Sequence, residues 1–216
     1  MRLWSSLRPQ SLRLLRRCSS EASSGQREVI LTHAMKHVSL YGWTEEALAR
    51  GAVDAGYVEQ YPSFDKSTQI SSSLPATAYK MMARGPIELV ERFLSEKRQS
   101  VNDKIQSEPV TEETNDVKEV TLRRLQRIME LHFEYIDKSG LKSTWPSAIA
   151  LLIASPTNLP HSLSALNDIV GDLSDAADLR PTRLDWYGER ALLASLFVSA
   201  EMFFLTDDSE GLVETR

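Results

Sequence analysis

The 216-residue chain has a single cysteine, Cys18, and it lies in a basic N-terminal stretch. Without a second thiol there is no intrachain disulfide and no cysteine-ligated zinc or iron–sulfur centre. Long hydrophobic runs are scarce as well. The longest, residues 191–205, contains Glu201 and falls short of the ~20 residues that a membrane-spanning helix needs. Walker, G-x-S-x-G and dinucleotide-glycine patterns are lacking. So are the apolar alternation and the Asn-Gly or Asp-Gly turns of β-hairpins. Positive charge is in deficit, with 25 Lys and Arg against 30 Asp and Glu. Residues 1–25 hold five Arg against Glu21, which leaves 20 basic and 29 acidic residues in the remainder, near −9. An acidic body lacks the footprint that displaces counterions from nucleic acid, so no nucleic-acid partner is expected.

What is present begins with MRLWSSLRPQSLRLLRRCSSEASSGQR, residues 1–27. Arg2, Arg13, Arg16 and Arg17 fall on one side of a helical wheel and Leu3, Trp4, Leu7, Leu14 and Leu15 broadly opposite, with Pro9 interrupting the register. The serine-rich, acid-poor composition predicts a mitochondrial transit peptide over 1–27 rather than a secretory signal, which needs an unbroken apolar stretch.

The remainder reads as a succession of helices. Ile30, Leu31, Ala34, Met35, Val38 and Tyr41 mark one apolar stripe that Gly42 ends. Thr44 suits an N-cap for a second helix from Glu45 to about Ala55, with Trp43 stapled onto Leu48. Residues 58–73 are polar and serine-rich and read as a loop or insertion. Pro86 opens a helix with Ile87, Val90, Phe93 and Leu94 on its buried face, and SEPVTEETND (107–116) is a charged linker. Leu125, Ile128, Met129, His132 and Ile136 mark a helix over about 117–138. Pro146 opens a short helix that SPTNLP (155–160) breaks, and Leu163, Leu166, Ile169, Val170 and Leu173 define the next. Asp185 caps a last helix of about 20 residues. The expected fold is all-α, one continuous domain over 28–216. Its N-terminal part, 28–98, resembles a helix-turn-helix unit, and its C-terminal part is 117–216.

Residues that could carry chemistry are few. His33 and His37 share a helix face, but no third ligand is identifiable, and Glu-x-x-His pairs of the di-iron type are lacking at all four histidines. No metal, cofactor or catalytic residue is expected. His132 on its apolar stripe reads as a hydrogen-bonded core histidine. The last helix, WYGERALLASLFVSAEMFFL (186–205), is apolar nearly all round. Such a helix is either a central core element or one whose Leu192, Leu196, Phe197, Met202 and Phe203 line a cavity for a long apolar ligand. Trp186 and Tyr187 form an interface anchor if exposed and seal the bundle end if buried.

The segments YGWTEEALARGA (41–52), LPATAYKMMARGPIELV (74–90), EYID (134–137), WPSAIALLI (145–153), NLPHSL (158–163) and DWYGERALLA (185–194) resemble, in this order, the mitochondrial ubiquinone (coenzyme Q) biosynthesis protein nine family. That resemblance implies a TetR-like multi-helix bundle and a homodimer. It implies binding of phospholipid and isoprenoid quinone lipids among the C-terminal helices, and assistance to the di-iron demethoxyubiquinone hydroxylase as a peripheral protein on the matrix side of the mitochondrial inner membrane. It implies contact with the hydroxylase through Trp186 and Tyr187, with Leu159 and Pro160 as weaker candidates, and Arg190 matches a family arginine in the same motif. The family's amphipathic membrane helix is expected about where GLVETR ends the chain, which leaves open both membrane docking by that helix and whether the chain continues. Residues 58–73 look inserted relative to the family, and residues 28–98 carry 8 basic against 9 acidic side chains, so DNA reading is not expected. The reading is a non-enzymatic lipid-binding accessory protein of ubiquinone biosynthesis. Its rivals are a TetR-type transcriptional regulator and a purely structural scaffold of the biosynthetic complex.

Overall fold

The structure is a computed structural model that describes residues 24–57, 82, 84–108, 116–178, 185–207 and 209. Among these residues there is no strand, and the all-α expectation is borne out. The elements are α1 (24–35), α2 (Val38–Tyr41), α3 (Glu45–Asp54), α4 (Ile87–Ser107), α5 (Val117–Lys138), α6 (Trp145–Ile153), α7 (Leu159–Ala176) and α8 (Asp185–Thr206). A 3-10 turn, Lys142–Thr144, leads into α6. The expected insertion 58–73, most of the linker and the segment 210–216 lie outside the described residues.

Gly42, at φ 67°, turns the chain sharply between α2 and α3, a conformation that any side chain would strain. Gly51 lets α3 lie directly on α1, because a Cβ there would stand 2.5 Å from Ala34. Thr44 precedes α3 as expected, yet its side chain does not cap the helix. Its hydroxyl donates to the Tyr41 carbonyl at 3.0 Å instead. Pro86 occupies the N-cap of α4, and Asp116 caps α5 by accepting from the Lys118 amide.

The transit-peptide expectation, 1–27, falls mostly outside the described residues, but its last four positions are helical and belong to α1. Arg27 Nε lies 2.7 Å from Glu88 Oε2, whose side chain is buried at the start of α4. Ile30, Leu31 and Ala34 follow on the buried face.

Helix α4 packs on α5 and α6, α5 on α7 and α8, and α7 on α8. Two aromatic groups fill the centre. Trp43, Phe93 and Trp145 meet edge-on or tilted with centroids 5.2–5.9 Å apart. Phe133 stacks between Phe197 at 5.8 Å and Phe204 at 5.2 Å. The first group ties the N-terminal hairpin to α4 and α6; the second ties α5 to α8, and such ring pairs stabilise by about 1 kcal/mol beyond their area. Arg98 of α4 makes a bidentate pair with Asp172 of α7, at 2.7 and 2.8 Å. Leu163, placed on the buried stripe of α7 by its spacing, is instead exposed, while Ile169, Val170 and Leu173 are buried. The first turn of α7 meets α6, where Ser162 Oγ donates to the Leu152 carbonyl at 2.8 Å.

Candidate functional site

Helix α8 is apolar on two sides, and among the described residues only one of them is covered. At about 100° per residue, buried Phe197 and Phe204 and part-buried Leu193 and Ala200 fall on one half. Leu192, Leu196, Val198, Met202 and Phe203 fall on the other, and all five are exposed. Between residues 191 and 206 the only charged side chain is Glu201. It turns inward to accept from Trp145 Nε1 at 3.0 Å. The outer half is therefore an uncharged apolar strip, softened only by Ser195, Ser199 and Thr206.

Of the five residues expected to line a lipid cavity, the structure brings four to this outer strip: Leu192 at 73% exposure, Leu196 at 49%, Met202 at 43% and Phe203 at 49%. Phe197 is separated from them. It is 2% exposed and lies against His132 and Phe133 in the core. The five thus form no common internal wall, because adjacent residues on a helix point about 100° apart. A cavity of about 250 Å³ opens between α4, α6 and α7 over Leu94, Leu152 and Ile169, and none of the five reaches it.

The partner-binding candidates separate in a similar way. Tyr187 is 73% exposed, whereas Trp186 is half-buried, edge-on to Tyr187 at 4.9 Å and covered by the Arg190 guanidinium at 4.9 Å. Arg190 is a clamp between α8 and α7. It donates to Ser174 Oγ at 3.2 Å and to the carbonyl and side-chain oxygens of Asn167 at 3.1 and 2.9 Å. Leu159 and Pro160, at the exposed start of α7, are surface residues beside exposed Ile153 and Leu163.

His37 Nε2 is 2.7 Å from Asp54 Oδ2, a pair that links the turn after α1 to the end of α3. That hydrogen bond holds the Asp54 carboxyl below its ordinary value. Among the described residues no group of three His, Cys, Asp or Glu side chains could hold a metal ion, and no helix is long and apolar enough to cross a membrane.

Sequence spacing missed a buried polar cluster. His132 is in the core as expected, but neither ring nitrogen has a hydrogen-bond partner among the described residues. Lys97 is 1% exposed and its Nζ is likewise without one. The signal was available: Lys97 falls in register with Val90, Phe93 and Val101 on the buried stripe of α4. Burial pulls both groups toward their neutral forms, with Glu201 opposing the shift at Lys97 and the charges of Lys97 and Arg98 reinforcing it at His132.

The model of the COQ9 family matches residues 159–216, which hold α7, α8 and the segment beyond. Over longer spans the chain is similar to proteins named "Ubiquinone biosynthesis protein COQ9, mitochondrial". One, from Drosophila melanogaster, is 27% identical over 191 residues, 88% of this chain and 51% of that protein. Another, from Homo sapiens, is 27% identical over 191 residues, 86% of this chain and 52% of that protein. COQ9-B of Xenopus laevis is 27% identical over 200 residues, 90% of this chain and 60% of that protein. The chain thus spans about half to three-fifths of the length of these relatives. The family resemblance carried by the motifs is borne out as a similarity, with the family model matching residues 159–216.

Proposed function

We propose that this chain, with its COQ9-family domain, serves ubiquinone biosynthesis in mitochondria as a lipid-binding accessory protein without catalysis of its own. Its ligand is an isoprenoid quinone lipid, which it presents to the demethoxyubiquinone hydroxylase at the matrix side of the inner membrane. The names of its relatives support the pathway and the compartment. The observation that carries the lipid reading is the outer half of α8, inside the family match. A 22-residue helix is about 33 Å long, and this one turns Leu192, Leu196, Val198, Met202 and Phe203 to the outside with no formal charge among them.

A strip of that kind is costly to leave in water and marks a binding surface. Its shape, long, narrow and uncharged, suits a polyprenyl or acyl chain, and Met202 and Phe203 adapt to an irregular one. Tyr187, at the polar first turn, together with Leu159 and Pro160, then faces the hydroxylase. The protein acts as a homodimer on this reading, which the mass in solution measures directly.

Native mass spectrometry of gently purified protein tests the lipid reading. Wild type is expected to carry lipid and Leu196→Glu to lose it while keeping its helix content, because an unpaired charge against an apolar chain is strongly unfavourable. A folded Leu196→Glu protein that carries lipid in the wild-type amount overturns the placement on α8.

A further inference from the structure

We propose that an arginine-directed endoprotease cuts the chain between Arg17 and Ser24, so that residues 24–27 stay on the mature protein and Arg27 serves it as the counter-ion of a buried carboxylate. The inference rests on the mitochondrial placement proposed above and assigns the processing site.

Composition alone carries the basic N-terminal segment through Arg27, the last of its arginines. The fold divides that segment. Glu88 is 3% exposed in the first turn of α4. Its Oε1 accepts from the Arg84 amide at 3.0 Å, and its Oε2 lies 2.7 Å from Arg27 Nε, with both atoms of that contact closed off from water. A buried carboxylate stripped of its counter-charge is strongly unfavourable. Among the described residues the cation paired with Glu88 is Arg27. The next residue repeats the link in the opposite sense, Glu28 pairing with Arg92 one turn along α4. Two consecutive residues of α1 thus meet two residues four apart on α4, and Ile30, Leu31 and Ala34 bury the face that follows.

A chain crossing a membrane is unfolded, so α1 shields no bond from a protease that acts during import. The products differ in what they can fold into. A cut after Arg27 yields a chain that begins with Glu28. It lacks the partner of Glu88 and the first turn of α1, and it places a positive α-amino group at a helix start, where the dipole disfavours it. A cut between Arg17 and Ser24 keeps α1 whole. It still removes Arg2, Arg8, Arg13, Arg16 and Arg17, the arginines of the amphipathic stretch. An endoprotease that reads arginine ahead of the bond finds the Arg16-Arg17 pair there, followed by the small residues Cys18, Ser19 and Ser20. The arginines are therefore of two kinds: those upstream serve import and are lost, while Arg27 serves the fold and stays.

The test follows the full chain into isolated mitochondria and reads the intact mass of the product. Its first residue is expected between Cys18 and Ser24. Arg16→Gln together with Arg17→Gln should abolish that cut, and Arg27→Gln should leave it in place. A product that begins at Glu28 or later overturns the inference. So does a cut that persists without Arg16 and Arg17, a cut that Arg27→Gln moves, or a product of full length inside the organelle. A chain that fails to enter overturns the mitochondrial placement itself, and this site with it. The role of Arg27 is read separately by melting the full chain. Arg27→Gln is expected to lower the melting temperature by about 5 °C or more; solvent on the outer side of Arg27, 43% exposed, moderates the loss. Adding Glu88→Gln should recover most of it, because a neutral amide needs no counter-ion. An Arg27→Gln protein that melts as wild type does overturns the inference, and so does a loss that Glu88→Gln leaves uncorrected.

Discussion

Helices α5 and α8 are both 22 residues long, and both bury aromatic rings in the same part of the core. Their outer faces differ completely. On α5, Arg123 pairs with Glu119, Lys138 with Glu134, and Arg127 with Glu108, so the surface is finished by solvated charge. On α8 the corresponding half offers Leu192, Leu196, Val198, Met202 and Phe203. Intrahelical ion pairs contribute only a few tenths of a kcal/mol each, so α5 does not need its charges in order to fold. What they supply is a surface that ends at water. Among the described residues the outer half of α8 lacks such a finish, and the proposed lipid-binding role rests on that difference.

The largest effect should come from crossing the two halves of α8. Phe197→Ala is expected to lose about 3–5 kcal/mol in chemical denaturation, as for a ring removed from a packed core. Leu196→Ala, one residue away, should stay within about 1 kcal/mol. Equal losses at both positions would erase the distinction between inner and outer faces. Next is the clamp that orients α8 on α7. Arg190→Ala removes three hydrogen bonds and exposes Trp186, and a loss of about 1–3 kcal/mol is expected in a thermal melt. An unchanged melting temperature would show that ring packing alone sets the α7–α8 pairing.

On the partner role proposed for Tyr187, Tyr187→Ala should leave stability within about 0.5 kcal/mol while weakening binding to the hydroxylase by about tenfold or more, as measured by interferometry. Trp186→Ala, half-buried beneath Arg190, should lower both. Identical behaviour of the two variants would reunite a pair that the structure divides. The smallest effect concerns the charged face of α5. Arg127 donates to Glu108 at 3.0 Å and holds that carboxyl below its ordinary value. The resulting stabilisation is present above the ordinary carboxylate range and fades as the pH falls through the lowered value. Both side chains are 41% exposed, so screening reduces it to a few tenths of a kcal/mol. Arg127→Gln should raise the Glu108 titration midpoint in carbon-detected NMR with almost no change in melting temperature.

Much of this was legible in the chain. The stripe from Leu125 to Ile136 located α5 at the residues found, and the last helix starts at Asp185, which stands in its first turn rather than ahead of it as a cap. These elements carry one apolar face and clear ends, so local periodicity suffices. The motif DWYGERALLA pointed to the region that the family match covers. Less was legible at the site. Phe197 and Leu196 are equally apolar, and a helix without a polar face has no moment from which its orientation could be read. Trp186 and Tyr187 likewise form one dipeptide, and only the arrival of Arg190 from the next turn separates them.

Composition, periodicity and capping residues determined by themselves that the chain is helical, where most of its helices lie, and that its last helix is unusually apolar, because these follow from interactions within a few residues. Tertiary packing alone decided which half of that helix Phe133 and His132 would cover, and that Lys97 would be drawn into the core and Arg27 onto buried Glu88. Those outcomes depend on side chains distant in the sequence, and a charged residue shows on which side of the surface it ends only when its neighbours from other helices have closed around it.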